Sequence, residues 1–217
     1  MQLEITRAEL DALVSRQIET LFGFRQAEER EILRAGIAAA LERCEFCFSH
    51  TRNKYYAKNG GTYFNPFHSG QYSIFLYFLS NSIFALYPNA GTLADRVYYL
   101  NKALNGLDLF YEVKMPRAFF LDHPIGSVLG RATYGEGFAF SQNCTVGNNK
   151  GVYPVIGENV RMMAYSMILG ACKIGDNTII SAQSYVKDTD VPACSIVFGA
   201  HPNLIVKTRD MSYFKTT

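Results

Sequence analysis

Two side chains in this sequence could move a proton together: the imidazole of His123 and the carboxylate of Asp108. Histidine is scarce, with His50, His68, His123 and His201 the only four. His123 lies inside Leu121-Asp122-His123-Pro124-Ile125-Gly126, where a six-residue apolar rhythm slips out of phase. Such a slip distorts a coil as a bulge distorts a sheet, and it re-aims a side chain out of the wall. Asp108 precedes His123 by 15 residues, slightly under one coil of three hexads. Stacked strands lie about 4.8 Å apart, so a carboxylate one coil earlier can reach the imidazole. A carboxylate on one ring nitrogen fixes the tautomer and leaves the other nitrogen as a general base. Taken alone, such a pair is more often a solvent-facing histidine and a turn-forming aspartate.

The element that must position these residues shows itself by its period. From Ile156 onward, Met162, Ile168, Ile174, Ile180 and Val186 recur every six residues. A helix repeats its apolar face near 3.6 residues and a strand near 2, so neither yields this spacing. A period of six predicts a parallel β-helix of hexapeptide repeats, one apolar residue per short strand. Val128, Tyr134, Phe140 and Val146 keep the interval in a second phase, and Leu109, Met115 and Leu121 in a third. Val146 to Ile156 overshoots one hexad by four residues, so a small loop should leave the coil at Asn148-Asn149-Lys150-Gly151.

Ahead of the hexads, apolar residues recur at three- and four-residue spacing. Helices are expected at 6–22, 26–49, 69–87 and 91–104, the last with Thr92 as its N-cap and Gly106 as a left-handed stop. Gly60-Gly61 and Pro66 should break the helical part at 58–70. The fold class is therefore α+β. A helical N-terminal domain over 1–106 is followed by a β-helix over 107–187 and a tail over 188–217, expected to be irregular or briefly helical.

A net charge of +2 argues against a nucleic-acid binder that works by phosphate neutralisation. Five cysteines at irregular positions fit a reducing, cytoplasmic setting better than a disulfide framework. Cys44 and Cys47 form a lone C-x-x-C with no second pair or spaced histidines, so no metal is expected. The apolar run at 72–87 is broken by Ser73, Ser80, Asn81 and Ser82, and is shorter than the roughly 20 residues a membrane span needs. It reads as a helix buried in the domain or at a subunit contact, not as an integral span.

The stretch LDLFYEVKMPRAFFLDHPIGSVLG, residues 107–130, resembles the catalytic coils of bacterial serine acetyltransferases. Asp108, Lys114, Leu121-Asp122-His123, Gly126, Val128 and Gly130 match that family's pattern without a gap. The likeness continues through Pro154–Val160 and Ile168–Gly170. The resemblance implies a left-handed parallel β-helix, self-associated as a homotrimer or a dimer of trimers, with acetyl-CoA as co-substrate. It makes His123 the general base, Asp108 its orienting carboxylate, and Asp122 part of the acceptor pocket. It also places the pantetheine arm along the wall at Gly147, Ala164 and Ala182.

The sequence departs from the family where the acceptor is gripped. The family's loop is longer and ends in Arg-His-Pro, whereas Val152-Tyr153-Pro154 stand here. A carboxylate normally wants a bidentate guanidinium, and that pair is gone. Arg131 and Lys150 are the cations that could replace it, and Tyr153 suits stacking on a sugar-like ring. The expectation is a CoA-dependent O-acyltransferase acting on a small-molecule hydroxyl other than that of free serine, such as a sugar-like unit of a surface polysaccharide. The alternatives are an L-serine O-acetyltransferase with a divergent loop, and a non-catalytic hexapeptide scaffold.

Overall fold

In the computed structural model, which describes residues 1–215, helix α1 (Arg7–Phe22) begins where Thr6 and Glu9 exchange side-chain and backbone hydrogen bonds. That reciprocal pair satisfies two amide donors the first turn would leave bare. Helix α2 (Gln26–Ser49) lacks such a residue at its cap. The carboxylate of Glu29 instead accepts the Arg25 N–H at 2.9 Å. Helix α3 (Ser69–Leu86) is buried on nearly every side and packs between α2 and the fourth helix, α4 (Gly91–Asn105). An apolar helix of this kind belongs in a core. No helix among the described residues is long and apolar enough to cross a membrane. Gly36 lets α2 and α3 approach: a Cβ there would lie 2.7 Å from the Ile83 side chain.

Two details differ from the sequence reading. Helix α4 starts at Gly91 with Ala90 as its cap, so Thr92 lies inside the first turn. Its hydroxyl meets the Arg25 guanidinium at 3.3 Å. The breaker region is not merely a loop, because strands Ala57–Lys58 and Gly61–Phe64 form a hairpin, and Gln2–Leu3 joins it in parallel. Gly106, with φ 62°, closes α4 in the left-handed region as expected.

The chain divides into units of residues 1–112 and 113–217, several residues past the helix end at Asn105. Residues 107–112 stay with the helices for a local reason. Asn81 donates to the Tyr111 carbonyl at 2.6 Å, and the Tyr111 hydroxyl donates to Asp95 at 2.8 Å.

The second unit is a parallel solenoid of two- and three-residue strands. Val155 pairs with Lys173 and Arg161 with Ile179, each 18 residues on, which is three hexads. Inward side chains stack in columns: Tyr134, Ile156 and Ile174 in one; Phe140, Met162, Ile180 and Val197 in another; Leu129, Val146, Ile168 and Val186 in the third. These residues are buried. At the start of the second phase the inward residue is Leu129, not Val128, which faces outward. The six-residue count alone could not choose between two adjacent apolar residues after the slipped turn.

Corners are tied from coil to coil by carboxylates that accept backbone amides. Glu136 takes the N–H groups of Arg117 and Ala118, Asp176 that of Glu158, and Asp190 that of Lys173. The tail is more ordered than its prolines suggest. Ser195–Ala200 and Asn203–Thr208 form an antiparallel hairpin, and its first strand extends the solenoid beside Ile179–Ile180. A short helix α5 (Met211–Lys215) follows.

Candidate active site

The turn after strand Phe119–Leu121 carries His123. The Asp122 N–H donates to the Phe140 carbonyl at 2.9 Å, which keeps that residue in the coil. The chain then leaves the wall and returns through bonds from Ile125 N–H to the His123 carbonyl and from Ser127 N–H to the Pro124 carbonyl. His123 sits at φ 50°, a left-handed conformation that residues other than glycine seldom adopt. Asn143, Tyr165 and Asn177 take the same conformation at turns of the solenoid, so it marks a turn and not by itself a functional site. Its consequence here is orientation: the His123 side chain is 83% exposed, aimed off the wall as the phase slip predicts. Its Nε2 lies 3.5 Å from Oδ1 of Asp122, an electrostatic contact longer than a good hydrogen bond.

Asp108 belongs to the helical unit and His123 to the solenoid. The carboxylate of Asp108 is occupied within its own unit. The Tyr98 hydroxyl donates to Oδ1 at 2.5 Å and the Lys102 ammonium donates to Oδ2 at 2.6 Å. Burial pushes the Asp108 pKa up, but the hydrogen bonds from Lys102 and Tyr98 outweigh it and leave the group below its ordinary value. The Tyr98 phenol is raised in turn, by burial and by its bond to Asp108. Tyr98 and Lys102 escaped the sequence reading, although their signal exists. They stand four apart on α4, hence on one face, just ahead of the aspartate.

The side loop leaves the coil as its length requires. Asn149 and Val152 exchange backbone hydrogen bonds at 3.0 Å, enclosing Lys150 and Gly151 at a tight tip. Across the loop Thr133 pairs with Val155, 22 residues on, which is one coil plus the four inserted residues. Val152 and Tyr153 are both exposed, and so is Arg131. Of the residues that the resemblance assigns to the pantetheine arm, Gly147 pairs with Leu169 in the wall. Ala164 and Ala182 stand one coil apart, and the Ala164 carbonyl accepts the Gln183 N–H at 3.0 Å. Among the described residues no cluster of three or more His, Cys, Asp or Glu could hold a metal. Cys44 and Cys47 are fully buried, and burial raises the Cys44 thiol well above its ordinary pKa, the opposite of a reactive thiolate.

A parallel coil of hexads with a helical N-terminal unit is an architecture this chain shares with solved serine acetyltransferases. Residues 153–188 match the family model of the bacterial transferase hexapeptide (six repeats). In sequence and in fold the chain is serine acetyltransferase-like. It is 35% identical over 137 residues to a serine acetyltransferase of Staphylococcus epidermidis, covering 60% of this chain and 63% of that protein. The chain thus spans less than two thirds of the length of the curated relatives it matches. The crystal structure of a Vibrio cholerae serine acetyltransferase superposes with a TM-score of 0.72 at 21% identity, over 94% of this chain and 80% of that one. A serine acetyltransferase solved in complex with CoA gives 0.68 at 18% identity, over 93% and 84%.

Proposed function

We propose that the chain is an O-acetyltransferase that moves the acetyl group of acetyl-CoA to a small hydroxyl acceptor, and that free L-serine is that acceptor. The observation that carries the reading is His123, held in a left-handed turn and aimed away from the wall beside Asp122, inside a stretch whose residues resemble the serine acetyltransferase pattern. The sequence alone favours an acceptor other than serine. The relatives weigh against that preference, because the curated proteins that match bear the name serine acetyltransferase.

In this mechanism His123 removes the proton from the acceptor hydroxyl as its oxygen attacks the thioester carbonyl carbon. The C–S bond breaks, and the departing thiolate takes the proton from the imidazolium. No acyl-enzyme forms, since a thioester is activated enough for positioning and a base to supply the rate. Asp108 orients and stabilises the imidazolium, Asp122 faces the acceptor, and the pantetheine arm follows Gly147, Ala164 and Ala182. The active form is a trimer of this chain.

One observation keeps a second acceptor class in play. Val152 and Tyr153 are exposed where the family carries its basic pair, and neither can bond a carboxylate in that way. An aromatic edge there suits a sugar-like ring. Thiol release from acetyl-CoA separates the two, measured with L-serine against a panel of sugars, amino sugars and nucleotide sugars. Saturable turnover with serine supports the first reading. Turnover with a sugar and none with serine reverses it.

A further inference from the structure

We infer that Tyr98 and Lys102 are positioning residues for the reaction: they hold the Asp108 carboxylate in a single orientation. The inference rests on the proposed role of Asp108 and adds two residues that the family pattern does not supply. Its footing is geometric. Tyr98 and Lys102 lie on one face of the last turns of α4, and Gly106 turns the chain so that Asp108 follows directly. Each carboxylate oxygen receives its own donor, at 2.5 and 2.6 Å, so the group has no freedom to rotate without breaking a bond. The Tyr98 ring is itself fixed, meeting Phe110 edge-on with centroids 5.2 Å apart. Lys102 is about half exposed and Asp108 about a third, so the pair stands where solvent and small molecules reach it.

A lysine in the last turn of a helix also complements the negative end of the helix dipole. That purely structural duty would be met without any bond to Asp108. It gives no reason for a tyrosine to take the other oxygen. Two donors on one carboxylate instead match the need of a histidine orienter, which must present a fixed anion through the catalytic cycle.

The test is a double-mutant cycle read in acetyl-CoA turnover with L-serine, on full-length protein. Lys102→Met and Tyr98→Phe should each lower kcat about tenfold, the scale of one charge-assisted hydrogen bond. The KM for acetyl-CoA should hold, and Lys102→Arg should recover most of the rate. In an Asp108→Asn background, Lys102→Met should add almost nothing, because its effect passes through the carboxylate. Multiplicative losses in that background, or normal turnover by both single variants while Asp108→Asn is slow, overturn the inference alone. Normal turnover by Asp108→Asn overturns the role given to Asp108, and the inference with it. Thermal melts accompany each variant, so that a lowered melting point with unchanged kcat reads as a structural tie and counts against the inference.

Discussion

The imidazole Nε2 of His123 and the carboxylate of its neighbour Asp122 stand 3.5 Å apart on a turn outside the solenoid wall. Two consecutive residues cannot ordinarily face each other along a strand, whose side chains alternate. The left-handed backbone at His123 is what brings the pair to one side.

Replacing His123 with alanine should therefore spare the fold, since its exposed ring packs against little. Turnover should drop roughly 10²–10⁴-fold, a barrier increase of about 3–5 kcal/mol. Thiol release slowed by that factor with the melting temperature unchanged is the expected result. Near-normal acyl transfer by the alanine variant to a proven acceptor would show that this histidine is not the base.

The solenoid should be intolerant of a methyl group at Gly135. A Cβ there would sit 2.4 Å from the carbonyl carbon and oxygen of Gly157 on the next coil, and backbone cannot move aside as a side chain can. Gly135→Ala should cost about 3 kcal/mol or more of stability, an overpacking penalty at the high end. Chemical denaturation followed by circular dichroism measures it.

Acid should loosen the helical unit through Glu29. Its side chain is nearly buried and pairs with Arg96 and, at 3.3 Å, with Arg25. Burial pushes its pKa up, yet the bonds from Arg96 and from the Arg25 backbone prevail, and the folded-state value lies below the ordinary one. The unfolded chain thus binds its proton first. The stabilisation is fully present above about pH 4.3, the unfolded value, and disappears as pH falls through the lower folded value. Glu29→Gln should lose about 3 kcal/mol at neutral pH and show a flatter stability profile below pH 5, by urea titration at several pH values.

The proposed assembly predicts that the 24.4 kDa chain sediments as a trimer at micromolar concentration. Outward apolar side chains along the wall, among them Val128, Met167 and Tyr165, are exposed in the single chain and available to be covered. An active, stable monomer in analytical ultracentrifugation would remove the trimer from the mechanism.

The solenoid was legible because a coil allows one inward residue per short strand, so Ile156 to Val186 advertise their burial by spacing alone. Legibility failed where spacing stopped being informative. After the turn at 122–127, Val128 and Leu129 are both apolar, and only the pairing of Leu129 with Val146 reveals which one faces in. Pro192 and Pro202 concealed the closing hairpin, because a proline is tolerated outside the ladder that Ser195–Ala200 builds with its neighbours. The donors on Asp108 were hidden for another reason. They come from a helix read for its apolar face, while the relevant contact lies on its polar one.

The side loop between Gly147 and Pro154 adds four residues and disturbs nothing else: above it the coils resume at 18-residue spacing, with Val155 on Lys173. A solenoid is a scaffold whose corners can be lengthened without renumbering its walls. The loop at this corner is thus a replaceable fitting on a regular track. Exchanging Asn148–Tyr153 for a longer, arginine-bearing loop would leave every strand pair in register. Under the proposed function, acceptor preference is then free to change by insertion and deletion at one corner, with no change in the frame that carries it.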